Sequence, residues 1–135
     1  MNEKIATEVR EAMQRKLRPR IEGEVNAFQA ARKEQETLFQ QIMQFEKQIE
    51  NIREQERELE SKIEKEICNG NTPSAMIRDK ALKSNEIEAV RAQMEKRRSL
   101  LAEAERKVTA AAQALERALW RELPGLRDEE ELRVR

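Results

Sequence analysis

The residue types that carry most enzymatic chemistry are scarce in this chain. It contains no histidine, the most common general base near neutral pH, and a single cysteine, Cys68. A Cys–His pair is therefore excluded, and the end of a predicted helix disfavours a thiolate at Cys68. Zinc-ligand spacing, a glycine-rich phosphate loop and a nucleophile elbow are also missing from the sequence. We expect no catalytic residue, no metal site, no cofactor and no enzymatic activity, with Cys68 an inert thiol.

A basic cluster near the amino terminus is the first candidate for binding chemistry. Its residues are Arg10, Arg15, Lys16, Arg18 and Arg20, with Glu11 the one acid among them. An apolar stripe lies on the same predicted helix, formed by Ile5, Val9, Ala12, Met13 and Leu17. Such a helix can dock on an acidic protein groove, an anionic membrane or nucleic acid, or cover the open end of its own fold. Nucleic acid is disfavoured, because no aromatic residue is interleaved with the bases.

The composition is typical of long helices or coiled coils. Charged residues make up 40% of the 135 residues, aromatic residues 3%, and the chain has three glycines and three prolines. The 27 basic and 27 acidic residues cancel, so no net charge attracts nucleic acid or an anionic membrane. No cleavable signal and no long apolar run is visible, so we do not expect membrane insertion. We expect a cytoplasmic protein.

Apolar spacing predicts an all-α fold in three parts. Residues 1–20 form a basic amphipathic helix, helical over Asn2–Leu17 and ending at a break near Pro19. Residues 21–123 form two long arms joined by a tip loop at 68–75, and residues 124–135 form a charged tail after a stop at Pro124–Gly125. The first arm carries apolar residues at alternating steps of four and three: Leu38, Ile42, Phe45, Ile49, Ile52, Leu59 and Ile63, interrupted by Glu56. The second arm has the same pattern, interrupted by Arg97: Ile87, Val90, Met94, Leu101, Ala104, Val108, Ala111, Leu115 and Ala118.

The stretch between the arms contains a helix stop followed at once by a helix start. Asn69–Gly70 favours the left-handed conformation that ends helices, and Thr72–Pro73 is typical of an N-cap followed by proline at the first helical position. Two arms of nearly equal length joined by so short a loop predict a long antiparallel coiled-coil hairpin with the amphipathic helix added at its start.

The register of this hairpin has two alternatives, in which facing residue numbers add to 139 or to 146. The sum of 139 is favoured because it places Glu56 opposite Lys83 and so matches the polar break to an opposite charge. Glu56, Lys83 and Arg97 are interpreted as residues that set the register.

Several apolar residues do not fit the seam and predict a surface for a partner. Those beside the seam are Phe39, Met43, Leu100, Leu119 and Trp120. At the tip, Ile67, Met76 and Ile77 are candidates for insertion into a partner, with simple packing of the turn as the alternative. Trp120 is either an anchor for a partner or core against the N-terminal helix.

Residues 69–119, from "NGNTPSAMIRDKALKSNEIEAV" to the alanine-rich "LLAEAERKVTAAAQALERAL", resemble the stalk proteins of type III export systems. These are the flagellar FliJ family and the YscO family of injectisomes, which share a glycine-centred tip and a second arm rich in Lys, Glu, Gln and Ala. The resemblance implies a cytoplasmic, non-enzymatic protein transport component. Such a protein stands in the central pore of an export ATPase ring, contacts the export gate and handles chaperones.

Two other functions remain open. The chain can be a scaffold or spacer that self-associates as a homodimer through the apolar residues beside its seam. It can also be a membrane-surface or nucleic-acid-associated protein that uses Arg15, Lys16, Arg18 and Arg20, in which case its binding falls steeply with salt.

Overall fold

The computed structural model consists of three helices, α1 (Asn2–Arg20), α2 (Glu22–Cys68) and α3 (Ser74–Val134). It describes the backbone of residues 2–134 and the side chains of residues 3–12 and 14–125. The long helices α2 and α3 pack against each other through an apolar cluster. The predicted all-α class is therefore confirmed. The place of Met13 in the stripe of α1, and the side chains of the predicted tail from residue 126 onward, lie outside the described residues.

The predicted break at Pro19 is a short bend. α1 continues through Pro19 to Arg20, and Ile21 is the one residue between α1 and α2. The amide of Ile21 donates to the carbonyl of Leu17 at 3.2 Å, and the amide of Val25 donates to that of Ile21 at 3.0 Å. Proline removes only its own donor, so the neighbouring helical hydrogen bonds carry the chain across the bend.

The predicted helix stop at Pro124–Gly125 is wrong. α3 runs through Pro124 and ends at Val134. Gly125 has no positive φ, and so lacks the left-handed conformation with which glycine commonly ends a helix. Proline inside a helix costs one hydrogen bond and some steric strain, which helical residues on both sides can absorb as a kink.

The loop between α2 and α3 ends α2 with a Schellman motif. Gly70 has a φ of 82°, and its amide donates to the carbonyl of Ile67 at 3.0 Å. The amide of Asn71 donates to the carbonyl of Glu66 at 3.0 Å, and its side-chain Nδ2 donates to Glu66 Oε2 at 2.8 Å. The two backbone bonds satisfy carbonyls that the helix end would otherwise leave without a donor. The predicted role of glycine in this loop is confirmed.

The start of α3 lies one residue later than predicted. The first helical hydrogen bond runs from the amide of Ile77 to the carbonyl of Pro73, at 3.1 Å, so Pro73 occupies the N-cap position that we predicted for Thr72. The carbonyl of Thr72 instead accepts from the amide of Ser74 at 2.9 Å.

The chain divides into two units, and the first, Glu36–Ala102, contains the loop and is called the tip unit. Its core consists of Ile42 and Ile49 from α2 with Ile87 and Met94 from α3. Phe45, Ile52, Val90 and Leu101 pack against this core. All eight belong to the predicted seams. No side chain of residues 50–86 is fully buried, so the core of this unit lies away from the loop.

The second unit, Met1–Gln35 with Glu103–Arg135, is called the terminal unit. Ile21, Ala104 and Ala118 are its buried hydrophobic residues among those described. Between residues 111 and 124, four of every seven residues of α3 are buried or half-buried. In the tip unit, about two of every seven residues of α3 are. Val9, Ala12 and Leu17 of the predicted stripe on α1 are also half-buried. A covered face this wide is typical of a helix with more than one neighbour.

The conformation of Gly70 leads to a test with a matched control. Gly70→Ala should lower the free energy of unfolding by about 1 kcal/mol, because a Cβ is strained at positive φ even though nothing lies within 4 Å of it. Gly23→Ala, also with no atom within 4 Å, should raise it by up to about 1 kcal/mol, because that glycine is helical. Urea unfolding followed by circular dichroism measures both, and equal effects of the two substitutions would contradict this account.

Candidate interaction surfaces

The polar residues predicted in the seam occupy half-buried positions in the tip unit. Glu56, Lys83 and Arg97 all lie on the covered stripe of their helices. The ammonium of Lys83 lies 3.6 Å from Glu86 Oε2 on its own helix, and among the described ion pairs Lys83 has none with Glu56. The Nε of Arg97 is buried and has no hydrogen-bond partner among the described residues.

Ion pairs between the helices place α2 and α3 antiparallel in the tip unit. Lys80 Nζ lies 3.5 Å from Glu60 Oε1, and Arg98 Nη2 lies 3.8 Å from Glu46 Oε1. Their residue numbers add to 140 and 144, which falls between the two predicted registers of 139 and 146.

The tip carries two outward-facing isoleucines. Ile67, in the last turn of α2, is 57% exposed, and Ile77, in the first turn of α3, is 48% exposed. Met76 is half-buried, so of the three predicted tip residues it contributes least to the surface. Cys68 is exposed next to Ile67. The tip therefore presents branched aliphatic side chains to solvent.

Trp120 lies on the outer face of α3 in the terminal unit. It is 72% exposed, the largest exposed fraction among the described large hydrophobic residues. The prediction that Trp120 is core against the N-terminal helix is therefore wrong. Among the other residues predicted to be exposed beside the seam, Phe39, Met43 and Leu100 are exposed, whereas Leu119 is half-buried.

The basic cluster of α1 does not form one surface. Arg20 Nη1 lies 3.6 Å from Glu122 Oε2 of α3, and Lys16 is half-buried with a polar contact of its own. Arg15 and Arg18 are exposed and form no ion pair with a described residue. The four predicted partner-binding residues thus divide into Lys16 and Arg20, which have polar contacts within the chain, and Arg15 and Arg18, which are exposed without a described ion pair.

Arg15 and Arg18 line a groove of about 660 Å³ on the terminal unit, at the bend between α1 and α2. Leu17, Ile21 and Val25 supply its apolar lining. Glu11 and Gln14 also line it. The groove was not predicted from the sequence, because a helix break was expected at Pro19. The spacing Leu17, Ile21, Val25 is a signal for it once the helix is taken as continuous.

The described residues contain no group of three or more His, Cys, Asp or Glu side chains placed to hold a metal ion. None of the described helices has an apolar stretch that would reach across a bilayer. No family model, curated protein or solved structure matches the chain.

The buried Nε of Arg97, which has no hydrogen-bond partner among the described residues, leads to a test. Arg97→Leu should raise the free energy of unfolding by about 1 kcal/mol or more, because a buried donor without a partner costs about 1–3 kcal/mol. The matched control is Arg98→Leu, whose exposed side chain pairs with Glu46 and with Glu95. That control should change the value by less than about 1 kcal/mol. Urea unfolding measures both, and a loss of stability in Arg97→Leu would show that its guanidinium stabilises the seam.

Proposed function

We propose that this protein is an antiparallel coiled-coil hairpin that acts in the cytoplasm by binding other proteins, without enzymatic activity. The observation that carries the proposal is Trp120, which is 72% exposed on the outer face of a helix. Removing a large aromatic side chain from water is favourable, and tryptophan is enriched among the residues that dominate binding energy. A chain with so few aromatic residues that turns its one tryptophan outward is well suited to hold a partner there.

The burial pattern supports the coiled-coil architecture. In the tip unit the covered positions of α2 and α3 recur at alternating steps of three and four, which is the spacing of a heptad seam. Ion pairs such as Arg98–Glu46 flank that seam, as charges do beside the core of a coiled coil. The glycine turn and the antiparallel ion pairs support a hairpin.

The sharpest form of the proposal is a stalk in a type III export apparatus, whether flagellar or of an injectisome. Its support is the resemblance of residues 69–119 to the FliJ and YscO families, together with a long helix on each side of a glycine-centred tip. In this role the chain stands in the pore of the export ATPase ring and contacts the export gate. The exposed residues Ile67 and Ile77 are the part of the tip suited to such a contact.

A self-associating scaffold is the second candidate, and Phe39 with Met43 favours it. These side chains are one turn apart on α2 and both are exposed, so they form an apolar pair outside the seam. A second copy that covered this pair would turn two hairpins into a four-helix bundle.

Light scattering with tryptophan fluorescence separates the two candidates. The partner-binding function predicts a monomer of 15.9 kDa at all concentrations tested, with the red-shifted emission of a solvated indole. A dimer that persists on dilution supports the scaffold instead. Blue-shifted emission from the free monomer would show that Trp120 is covered within the chain, and would remove the observation on which the proposal depends.

The export role has a direct test with a purified export ATPase hexamer. The wild-type chain should bind with one copy per six ATPase subunits, because a single hairpin fills a central pore. Ile67→Gln/Ile77→Gln should leave this binding intact and weaken binding to the export gate, since only the tip is altered. The control is Leu82→Gln, which changes another exposed residue of α3 in the tip unit. Absence of hexamer binding excludes the export role and leaves the general interaction function standing.

A further inference from the structure

We propose that the groove at the bend between α1 and α2 binds an amphipathic helix of a partner protein whose apolar side is flanked by acidic residues. The inference rests on the proposed interaction function and adds the chemistry of one partner. Three observations carry it: an apolar lining, two exposed arginines without ion pairs, and the alignment of the groove along one helical face.

The lining is made of aliphatic side chains at helical spacing. Leu17, Ile21 and Val25 recur every four residues, and Ile21 is only 5% exposed whereas Leu17 and Val25 are half-buried. Leu17 and Val25 therefore supply most of the apolar surface that is open to a partner. The groove has a volume of about 660 Å³. Side chains of leucine size from a partner fit such a surface.

The rim selects the charge of the partner. Arg15 and Arg18 line the groove, and neither guanidinium forms an ion pair with a described residue. Two other arginines of the same unit do form such pairs, Arg20 with Glu122 and Arg121 with Glu24. A guanidinium at an apolar rim binds carboxylates well, because its fork of donors matches their geometry. Glu11 is the first lining residue along the chain, and its carboxylate favours a basic residue of the partner beside it.

The shape of the groove favours a helix over a membrane or a nucleic acid. Its lining residues run from Glu11 to Val25 along one side of α1 and the start of α2, which is about 21 Å at about 1.5 Å per residue. A partner helix of four turns has that length, and it would present residues at i, i+3, i+4 and i+7 to the lining. A flat bilayer surface cannot reach the recessed Ile21. Among the described residues that line the groove, none is an aromatic on which a base could stack.

Fluorescence anisotropy with the full chain tests the proposal. The probe is a labelled synthetic 18-residue helix with leucines at i, i+3, i+4 and i+7, glutamates beside them and a lysine at one end. A second peptide carries lysine in place of each glutamate. The glutamate peptide should bind the wild-type chain, and the lysine peptide should bind at least about tenfold more weakly.

Variants of the chain locate that binding. Arg15→Glu/Arg18→Glu should weaken the glutamate peptide by about tenfold or more and reduce its salt dependence. The control, Arg53→Glu/Arg78→Glu, makes the same charge change at exposed positions of the tip unit and should leave the affinity unchanged. Leu17→Gln, at a half-buried position, should also weaken the peptide without loss of helicity by circular dichroism.

Four outcomes overturn the proposal. They are no binding of the glutamate peptide, equal binding of both peptides, equal loss in the two double variants, and no effect of Arg15→Glu/Arg18→Glu. Binding of phosphatidylserine vesicles in place of the peptide would assign the groove to a membrane. Concentration-dependent dimerisation abolished by that variant would assign it to a second copy. If the peptide fails while a partner still shifts the emission of Trp120, the interaction function stands and only the groove assignment falls.

Discussion

A helix that packs against a single neighbouring helix can bury only a narrow stripe, and the rest of this structure depends on that limit. In the tip unit the stripe holds Ile42 and Ile49 on one helix and Ile87 and Met94 on the other. Every other face of those helices meets solvent, which is why a chain that is 40% charged can fold there. The same limit leaves residues such as Phe39 and Met43 with no place in the core. Exposed apolar side chains in this fold are a direct consequence of having one seam.

The seam buries less apolar surface where its residues are polar. Glu56, Lys83 and Arg97 occupy covered positions that apolar residues would fill with more stability. Toward the loop this has a visible effect, because no side chain of residues 50–86 is fully buried. The turn is held instead by backbone bonds around Gly70 and by the contact of Asn71 with Glu66. Local hydrogen bonding at the tip and apolar packing farther along the helices therefore stabilise different parts of the same unit.

What the sequence could predict here depended on how local the deciding interaction was. The heptad steps and Gly70 could be predicted because each depends on a few neighbouring residues and a strong conformational preference. Pro19 and Pro124 were harder, since a proline removes one donor but the surrounding helix decides whether the chain stops or bends. The register depends on contacts between distant segments, which a local pattern does not determine. Lys83, predicted to face Glu56, pairs instead with Glu86 on its own helix. The groove was missed for a related reason, because Leu17, Ile21 and Val25 form one line only if the helix survives Pro19.

The basic cluster shows why charge counted along a sequence is a poor guide to a surface. Successive residues of an α-helix are about 100° apart, so residues two apart lie on nearly opposite sides, whereas residues three or four apart share a side. Arg15 and Arg18 are three apart, and both line the groove. Lys16 and Arg20 are four apart, and both have polar contacts within the fold. Four of the five bases in that run are therefore two pairs with different surroundings.

Arg15 and Arg18 carry two of the five positive charges in the cluster, but they have an apolar lining beside them. Two guanidiniums next to aliphatic side chains select a partner by shape and charge together, whereas four on a polar helix would have bound any polyanion. That difference is the physical reason to assign the groove to an acidic helix.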